Sequence, residues 1–330
     1  MQETHVPPAG HVYVSRALTD AAMRRLAELD VPVVVHPDPD RPPTRAELLA
    51  GVPGAVAVVA LLTERIDAEL LDAAGDQLRV VANVAVGFDN VDVAEAARRG
   101  VVVTNTPGVL DEATADLAFG LVLAVARRIV EADRFLRTGA PWSWAPTMFT
   151  GLDVSAGATL GIVGLGRIGT AVARRARAFR MRVLATGRRA HGPEAAALGV
   201  RPSTMDELLE RSDVVSLHCP LTPDTHHLID GAALARMRRT AILVNTARGP
   251  VVDEAALVEA LRDGVIAGAG LDVFEDEPEV HPGLLELDNV VLVPHIGSAG
   301  LATRDAMGVL AVDNVAAVLS GRAPLTPVTA

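Results

Sequence analysis

Short runs of β-branched residues alternate along the chain with alanine- and leucine-rich segments whose apolar positions recur at helical spacing. That alternation is the pattern of parallel strands joined by crossover helices, and it predicts an α/β protein. In the first third, strands are expected near Val12–Val14, Val33–Val35, Ala55–Ala60, Arg79–Ala82 and Val101–Val103, with helices near Asp20–Leu29, Arg45–Leu49, Asp67–Ala74 and Val91–Arg98 between them. Five such units make one small doubly wound sheet. Leu117, Leu121, Val125 and Ile129 then recur every four residues behind Asp111, a capping residue, so one long helix is expected from Asp111 to Thr138, ended by Gly139-Ala-Pro. A second series of strands is expected at Thr159–Val163, Arg182–Ala185, Val214–Leu217, Ala241–Val244, Val265–Leu271 and Val290–Val293. The tail from Gly300 to Leu319 is another apolar-striped helix, too short to be a domain, so it must pack on something already built.

Length and composition sharpen this picture. The 330 residues exceed the roughly 100–200 of one typical domain, so two cores are expected. A hydrophobic fraction of 50% against 22% charged residues supplies them. The net charge of -11 argues against nucleic acid as a partner, because a polyanion binder needs a basic surface. Mean hydropathy is +0.31, yet the longest apolar runs, Val52–Leu62 and Leu117–Ala126, fall well short of the ~20 residues a bilayer requires, so no membrane association is expected. The opening residues Met1–Pro8 carry no basic stretch followed by an apolar core, and the one cysteine, Cys219, fits a reducing compartment; a cytoplasmic location is the expectation. Pro37–Pro43 reads as a surface loop.

Candidate chemistry begins at Leu160-Gly-Ile-Val-Gly-Leu-Gly-Arg-Ile-Gly, where Gly164, Gly166 and Gly169 stand between a β-branched strand and an alanine-rich helix. In that setting the first glycine permits a tight turn, the second lets backbone approach a pyrophosphate, and the third lets helix and strand pack closely. The six strands of the second series are the count of a full dinucleotide-binding sheet. An acid about 20 residues on would accept from a free ribose 2′-hydroxyl. Here the second strand runs instead into Gly187-Arg188-Arg189, which favours a 2′-phosphate: NADP(H) is the expected preference, with NAD(H) possible.

Three polar residues lie just past predicted strands of the second series: Arg248, Glu277 and His295. Groups beyond the carboxyl ends of parallel strands converge on one crevice, so the three can meet. A planar guanidinium matches a carboxylate by two parallel hydrogen bonds, an imidazole moves a proton near neutral pH, and a carboxylate beside it stabilises its cation. Together they describe a 2-keto acid reductase. Cys219 has no base near it in sequence and reads as packing, not as a nucleophile. No metal is expected, since His226-His227 and His281 show no companion acids at ligand spacing.

At this point the sequence resembles the D-isomer-specific 2-hydroxyacid dehydrogenase family, most closely its glyoxylate/hydroxypyruvate reductase branch. The resemblance covers nearly the whole chain and rests on Val84-Ala-Val-Gly-Phe-Asp-Asn-Val-Asp, Asn105-Thr-Pro-Gly-Val-Leu, Gly164-Leu-Gly-Arg-Ile-Gly, His218-Cys-Pro-Leu-Thr, Asn245-Thr-Ala-Arg-Gly, Gly270-Leu-Asp-Val-Phe and Pro294-His-Ile-Gly-Ser. It implies two doubly wound domains: a flavodoxin-like substrate domain formed by residues 1–105 and 296–330, and a Rossmann cofactor domain, 106–295, inserted into it. It implies that Arg248 binds the substrate carboxylate, His295 donates the proton and Glu277 is its partner. Backbone amides at Val86 and Gly87 would also hold the carboxylate, with Ser298 lining the pocket. On the cofactor side it implies Thr114, Gly164, Leu165, Gly166, Arg167, Ile168, Gly169, Gly187, Arg188, Arg189, Cys219, Pro220, Thr225, Thr246, Ala247, Arg248, Asp272, His295 and Gly297. A homodimer is implied, with Trp144, of the pair Trp142 and Trp144, reaching the neighbouring subunit's active site. Other dehydrogenases acting on phosphoglycerate, D-lactate, 2-ketogluconate or phosphite share this pattern, and so do NAD(H)-sensing corepressors that use the fold for binding alone.

Overall fold

The computed structural model describes residues 10–329; Met1–Pro8, read above for a secretory signal, lies outside them. The chain divides into two compact units, one running through Leu110 and resuming at Ala299, the other spanning Asp111–Ser298.

In the first unit, strands β1 (His11–Val14), β2 (Val33–Val35), β3 (Ala55–Ala60), β4 (Val80–Asn83) and β5 (Val102–Thr104) form one all-parallel sheet in the order β2-β1-β3-β4-β5. This is the flavodoxin-like order, with one reversal of winding at β1/β3. β1, β3 and β4 are almost wholly buried, as strands covered by helices on both faces must be. The C-terminal helix Leu301–Leu319 packs on β3, β4 and the helix Asp20–Ala27. Gly308 makes that crossing possible, since a Cβ there would lie 2.5 Å from the Ala22 Cβ. The orphan tail of the sequence thus completes the first sheet's cover.

The second unit holds seven parallel strands: β6 (Thr159–Val163), β7 (Arg182–Thr186), β8 (Val200–Pro202), β9 (Val214–Leu217), β10 (Ile242–Asn245), β11 (Gly268–Leu271) and β12 (Val290–Leu292). Their order is β12-β11-β10-β9-β6-β7-β8, the doubly wound Rossmann arrangement with its switch between β6 and β9. Six strands were expected. The seventh, β8, is an edge strand of three residues with only Val200 buried, and its Pro202 is tolerated because an edge leaves one side without a ladder. Nothing in so short and polar a stretch produces a period.

The single helix expected over Asp111–Thr138 is two, Asp111–Ala126 and Ile129–Arg137. Arg128 takes a left-handed conformation with φ 52°. The Ala126 carbonyl accepts from the Leu152 amide at 2.8 Å, so the returning chain takes up an end that a continuous helix would bond internally. Arg128 closes the kink from the other side, its guanidinium gripping Glu131 at 2.5 and 2.8 Å. The four-residue apolar stripe persists across the break, but its members part ways: Leu121 is buried while Ile129 is 52% exposed. Among the described residues no helix is long and apolar enough to cross a membrane.

The break depends on backbone meeting backbone, because a Cβ at Gly151 would lie 2.0 Å from the Ala126 oxygen. Gly151→Ala is therefore expected to destabilise the second unit by about 1–3 kcal/mol, the usual cost of overpacking. Denaturant unfolding measures it, and an unaltered midpoint would show that the approach is not maintained in solution.

Candidate active site

The glycine-rich turn follows β6 and leads into the helix Arg167–Ala178. Each glycine meets a different constraint. Gly164 has φ +93°, and a Cβ on it would sit 2.7 Å from the Cys219 amide nitrogen, so this turn can run against the segment leaving β9 only without a side chain. Gly169 is closed in equally tightly, its hypothetical Cβ 2.4 Å from the Gly164 oxygen. Gly166, the N-cap, is different: nothing lies within 4 Å of its Cβ position. The turn thus leaves open space in front of the first helical amides of Arg167, Ile168 and Gly169, where the helix dipole favours an anion, and a dinucleotide pyrophosphate fits there. Leu165 is buried beneath the turn.

At the end of the neighbouring strand β7, Gly187 has φ +98° and almost empty space around its Cβ position, the nearest atom being the Leu165 nitrogen at 4.0 Å. Arg188 and Arg189 follow in a short 3-10 turn and are both exposed. Cys219 and Pro220 leave β9 opposite Gly164. Burial pushes the Cys219 thiol up to about 11, which removes the thiolate a nucleophile needs. The adjacent His218 is pushed down to about 4 by burial, so its imidazole is neutral near pH 7; Nε2 bonds Ser216 Oγ at 2.8 Å. Thr225 serves its own loop, donating from Oγ1 to the Pro220 carbonyl and accepting from the Thr222 amide.

The catalytic candidates emerge from β10, β11 and β12, three adjacent parallel strands whose carboxyl ends share one edge. Asn245, the last residue of β10, shapes the first loop: its Nδ2 donates to the Arg248 carbonyl at 2.9 Å and its Oδ1 accepts from the Ala247 amide at 3.0 Å. Thr246 is buried, with Oγ1 lacking a hydrogen-bond partner among the described residues. Gly249 then lies directly on the loop after β11, where a Cβ would fall 1.8 Å from the Phe274 oxygen. From Phe274 the connection continues to Glu277, whose Oε1 accepts the Phe274 amide at 3.0 Å and whose Oε2 faces His295 Nδ1 at 2.8 Å. The loop carrying His295 is held in turn by Asp272. Its carbonyl accepts the His295 amide, and its carboxylate takes the Ile296 amide at 2.6 Å and the Gly297 amide at 2.9 Å. Burial raises the Asp272 carboxyl, opposed by those two donors. His295 itself has φ 51°, an uncommon conformation for a non-glycine residue that the bonds on either side enforce.

Arg248, Glu277 and His295 are therefore joined through Gly249, Phe274 and Asp272 into one assembly. Thr114, on the helix Asp111–Ala126, belongs to it, since a Cβ on Gly297 would lie 3.0 Å from Asp272 Oδ2 and 3.4 Å from Thr114 Cγ2. Ser298 is half-buried at the end of the second unit. Val86 and Gly87 belong to the first unit, in the loop leaving β4. Trp142 and Trp144 are 58% and 79% exposed, in a stretch without regular structure.

Two features escaped the linear reading. Asn245 carried no recognisable chemistry in the sequence, yet it clasps the arginine loop. The histidines at 226 and 227, expected to have no acidic companions, stack on one another at 4.1 Å, and His227 Nε2 meets Glu275 Oε1 at 2.5 Å. These three residues have their ligand-type atoms within 4.8 Å of one another. Glu275 is 48 positions from His227, a separation at which spacing carries no signal.

Comparison with known proteins places this geometry. The family model for the D-isomer specific 2-hydroxyacid dehydrogenase NAD binding domain matches residues 119–297. A glyoxylate reductase of Thermofilum pendens is 49% identical over 318 residues, covering 95% of this chain and 92% of its own. One from Thermococcus onnurineus is 53% identical over 288 residues, covering 86% and 85%. Among solved structures, a Thermus thermophilus protein superposes with a TM-score of 0.90 at 50% identity, covering 97% of this chain and all of that one. An NADPH-dependent glyoxylate/hydroxypyruvate reductase of Sinorhizobium meliloti, in complex with NADP and malonate, gives 0.83 at 37% identity over 98% and 97% of the two chains. The similarity runs through both units and includes the sheet edge where the arginine, glutamate and histidine are assembled: the chain belongs to the D-isomer specific 2-hydroxyacid dehydrogenase family.

Proposed function

We propose that this enzyme reduces glyoxylate and related small 2-keto acids, hydroxypyruvate among them, to the D-2-hydroxy acids, and that it prefers NADPH to NADH. The observation that carries the reading is the 2.8 Å contact between Glu277 Oε2 and His295 Nδ1, beside the loop that presents Arg248. The glyoxylate reductases among its relatives support the substrate class.

The pyrophosphate of the cofactor is held at Gly164–Gly169, the adenosine end by Gly187, Arg188, Arg189, Cys219, Pro220 and Thr225, and the nicotinamide end by Thr114, Thr246, Ala247, Asp272 and Gly297. When bound, the reduced nicotinamide supplies the hydride. The protein's own residues do the rest. Arg248 pairs its planar guanidinium with the substrate carboxylate and polarises the keto group. Glu277 accepts from His295 Nδ1–H, which fixes the ring so that protonated Nε2 delivers its proton to the developing alkoxide. On the family resemblance, the backbone amides at Val86 and Gly87 are also assigned to the substrate carboxylate, and Ser298 to its pocket.

The reading is tested by following reduced-cofactor consumption with glyoxylate and hydroxypyruvate. Turnover with both is expected, and Arg248→Lys, which keeps the charge but loses the fork, should lose about a hundredfold or more in kcat/KM, the scale of a bidentate charge-assisted pair. Binding of the dinucleotide with no turnover would leave a sensing role instead.

The NADPH preference rests on Arg188 and Arg189, which are exposed and form no ion pair among the described residues. A charge-assisted bond to a 2′-phosphate is worth about 1.5–3 kcal/mol, reduced by solvent and salt at an exposed site. Arg188→Ala should cost about tenfold in kcat/KM with NADPH while sparing NADH. Introducing an acid at Gly187 is a poorer test, because φ +98° strains any side chain there. Equal efficiency of the unmodified enzyme with the two cofactors would refute the preference.

We further propose a homodimer formed through the helices on either side of Arg128, where Ile129 and Leu136 are 52% and 55% exposed, with Trp144 entering the neighbouring subunit's site. Light scattering should give twice the 34.4 kDa chain mass. A fully active monomer would exclude this.

A further inference from the structure

The loop leaving β4 carries the two amides assigned above to the substrate carboxylate. Val86 and Gly87 are half-buried, and neither N–H donates to an acceptor among the described residues. Their direction is nevertheless determined. In a trans peptide the C=O of one residue and the N–H of the next point to opposite sides, and these peptides are trans. The Ala85 carbonyl accepts from the Thr106 amide at 2.9 Å, which aims the Val86 N–H away from Thr106. The Val86 carbonyl accepts from Asn105 Nδ2 at 2.8 Å, which aims the Gly87 N–H away from Asn105. The Gly87 carbonyl is taken by Asn83 Nδ2, also at 2.8 Å. Three successive carbonyls are thus occupied by residues at the ends of β4 and β5, and each of the two amides between them points away from the residue that holds its peptide's carbonyl. Successive backbone amides of a turn can form an anion-binding concavity.

Asn105 is itself held at both ends of its backbone. Its N–H donates to the Thr326 carbonyl at 3.2 Å, and its own carbonyl accepts from Thr326 Oγ1 at 2.6 Å. Thr326 is gripped by Asn314, whose Oδ1 accepts the Thr326 amide at 3.0 Å and whose Nδ2 donates to Thr326 Oγ1 at 2.8 Å. Asn314 is fully buried in the C-terminal helix. A continuous path of hydrogen bonds therefore runs from that helix to the loop.

We propose that Asn105 is a positioning residue for the substrate carboxylate, aiming the Gly87 amide through the Val86 carbonyl, with Thr326 and Asn314 as its support. The proposal rests on the assignment of the Val86 and Gly87 amides to that carboxylate. A neutral amide suits the position: an aspartate would face the Val86 carbonyl with an acceptor and add negative charge beside an anionic ligand.

Steady-state kinetics on the full chain test it, with oxalate as a two-carbon acid that binds without reacting. Asn105→Ala should raise both the KM for glyoxylate and the inhibition constant of oxalate about tenfold, the scale of one lost hydrogen bond, while kcat and the dissociation constant of NADPH change by less than about twofold. Asn105→Asp should weaken oxalate further. Thr326→Val, which keeps the shape but loses the Oγ1 donor, should shift both constants in the same direction by a smaller factor, and it decides the matter if the Asn105 variants do not fold. Gly87→Pro, which removes the amide itself, distinguishes the role of the amide from that of Asn105. If Gly87→Pro weakens oxalate and Asn105→Ala does not, the carboxylate loop stands and the role of Asn105 is overturned; if neither does, the assignment of the amides falls and takes the proposal with it. Equal weakening of oxalate and NADPH in Asn105→Ala also overturns it, as that is the mark of general disorder.

Discussion

The sheet edge that carries Arg248, Glu277 and His295 depends on two loops lying backbone to backbone. Gly249 presses on Phe274 so closely that one added carbon would occupy the place of the carbonyl oxygen. Because the loops after β10 and β11 meet without side chains between them, Arg248 is brought onto the segment whose Phe274 amide holds Glu277, and Glu277 reaches His295. Each of these groups is on a different loop and would wander independently without that contact. Precision at a reacting centre comes from such supporting contacts, since a catalytic group held loosely loses most of its effect.

The same principle recurs in the choice of asparagine at strand ends. Asn245 in the second unit, and Asn83 and Asn105 in the first, use side-chain amides to bond backbone carbonyls that leave a sheet with no ladder partner. A strand end needs donors and acceptors for its departing chain, and a buried carbonyl left without one costs about 1–3 kcal/mol. Asparagine satisfies that need without introducing a charge. Asp272 is the exception, a buried carboxylate, and it is compensated by two backbone amides from the loop it positions.

Where ionisable groups are buried without such compensation, their chemistry is suppressed. Burial favours the protonated Cys219 thiol and the neutral His218 ring near pH 7. His295, by contrast, is partly exposed and faces the Glu277 carboxylate at 2.8 Å.

Much of this was legible in the chain alone. Alternating β-branched and alanine-rich segments specify parallel sheets because period and composition are local properties, and the three glycines announced their turn because each steric demand falls on a single residue. The motifs also carried Arg248, Glu277 and His295, since parallel strands bring their carboxyl ends to one edge whatever the sequence between them. The helix break at Arg128 was not legible: its cause is the Leu152 amide, which returns to Ala126 from beyond the second helix and leaves the apolar stripe unchanged. β8 was hidden because an edge strand of three residues buries too little to show a period. The clasp of Asn245, the pairing of His227 with Glu275 and the path from Asn314 to Val86 are decided by tertiary structure alone. Each joins groups through the direction of a peptide or the end of a side chain, and those directions exist only once the sheets have formed.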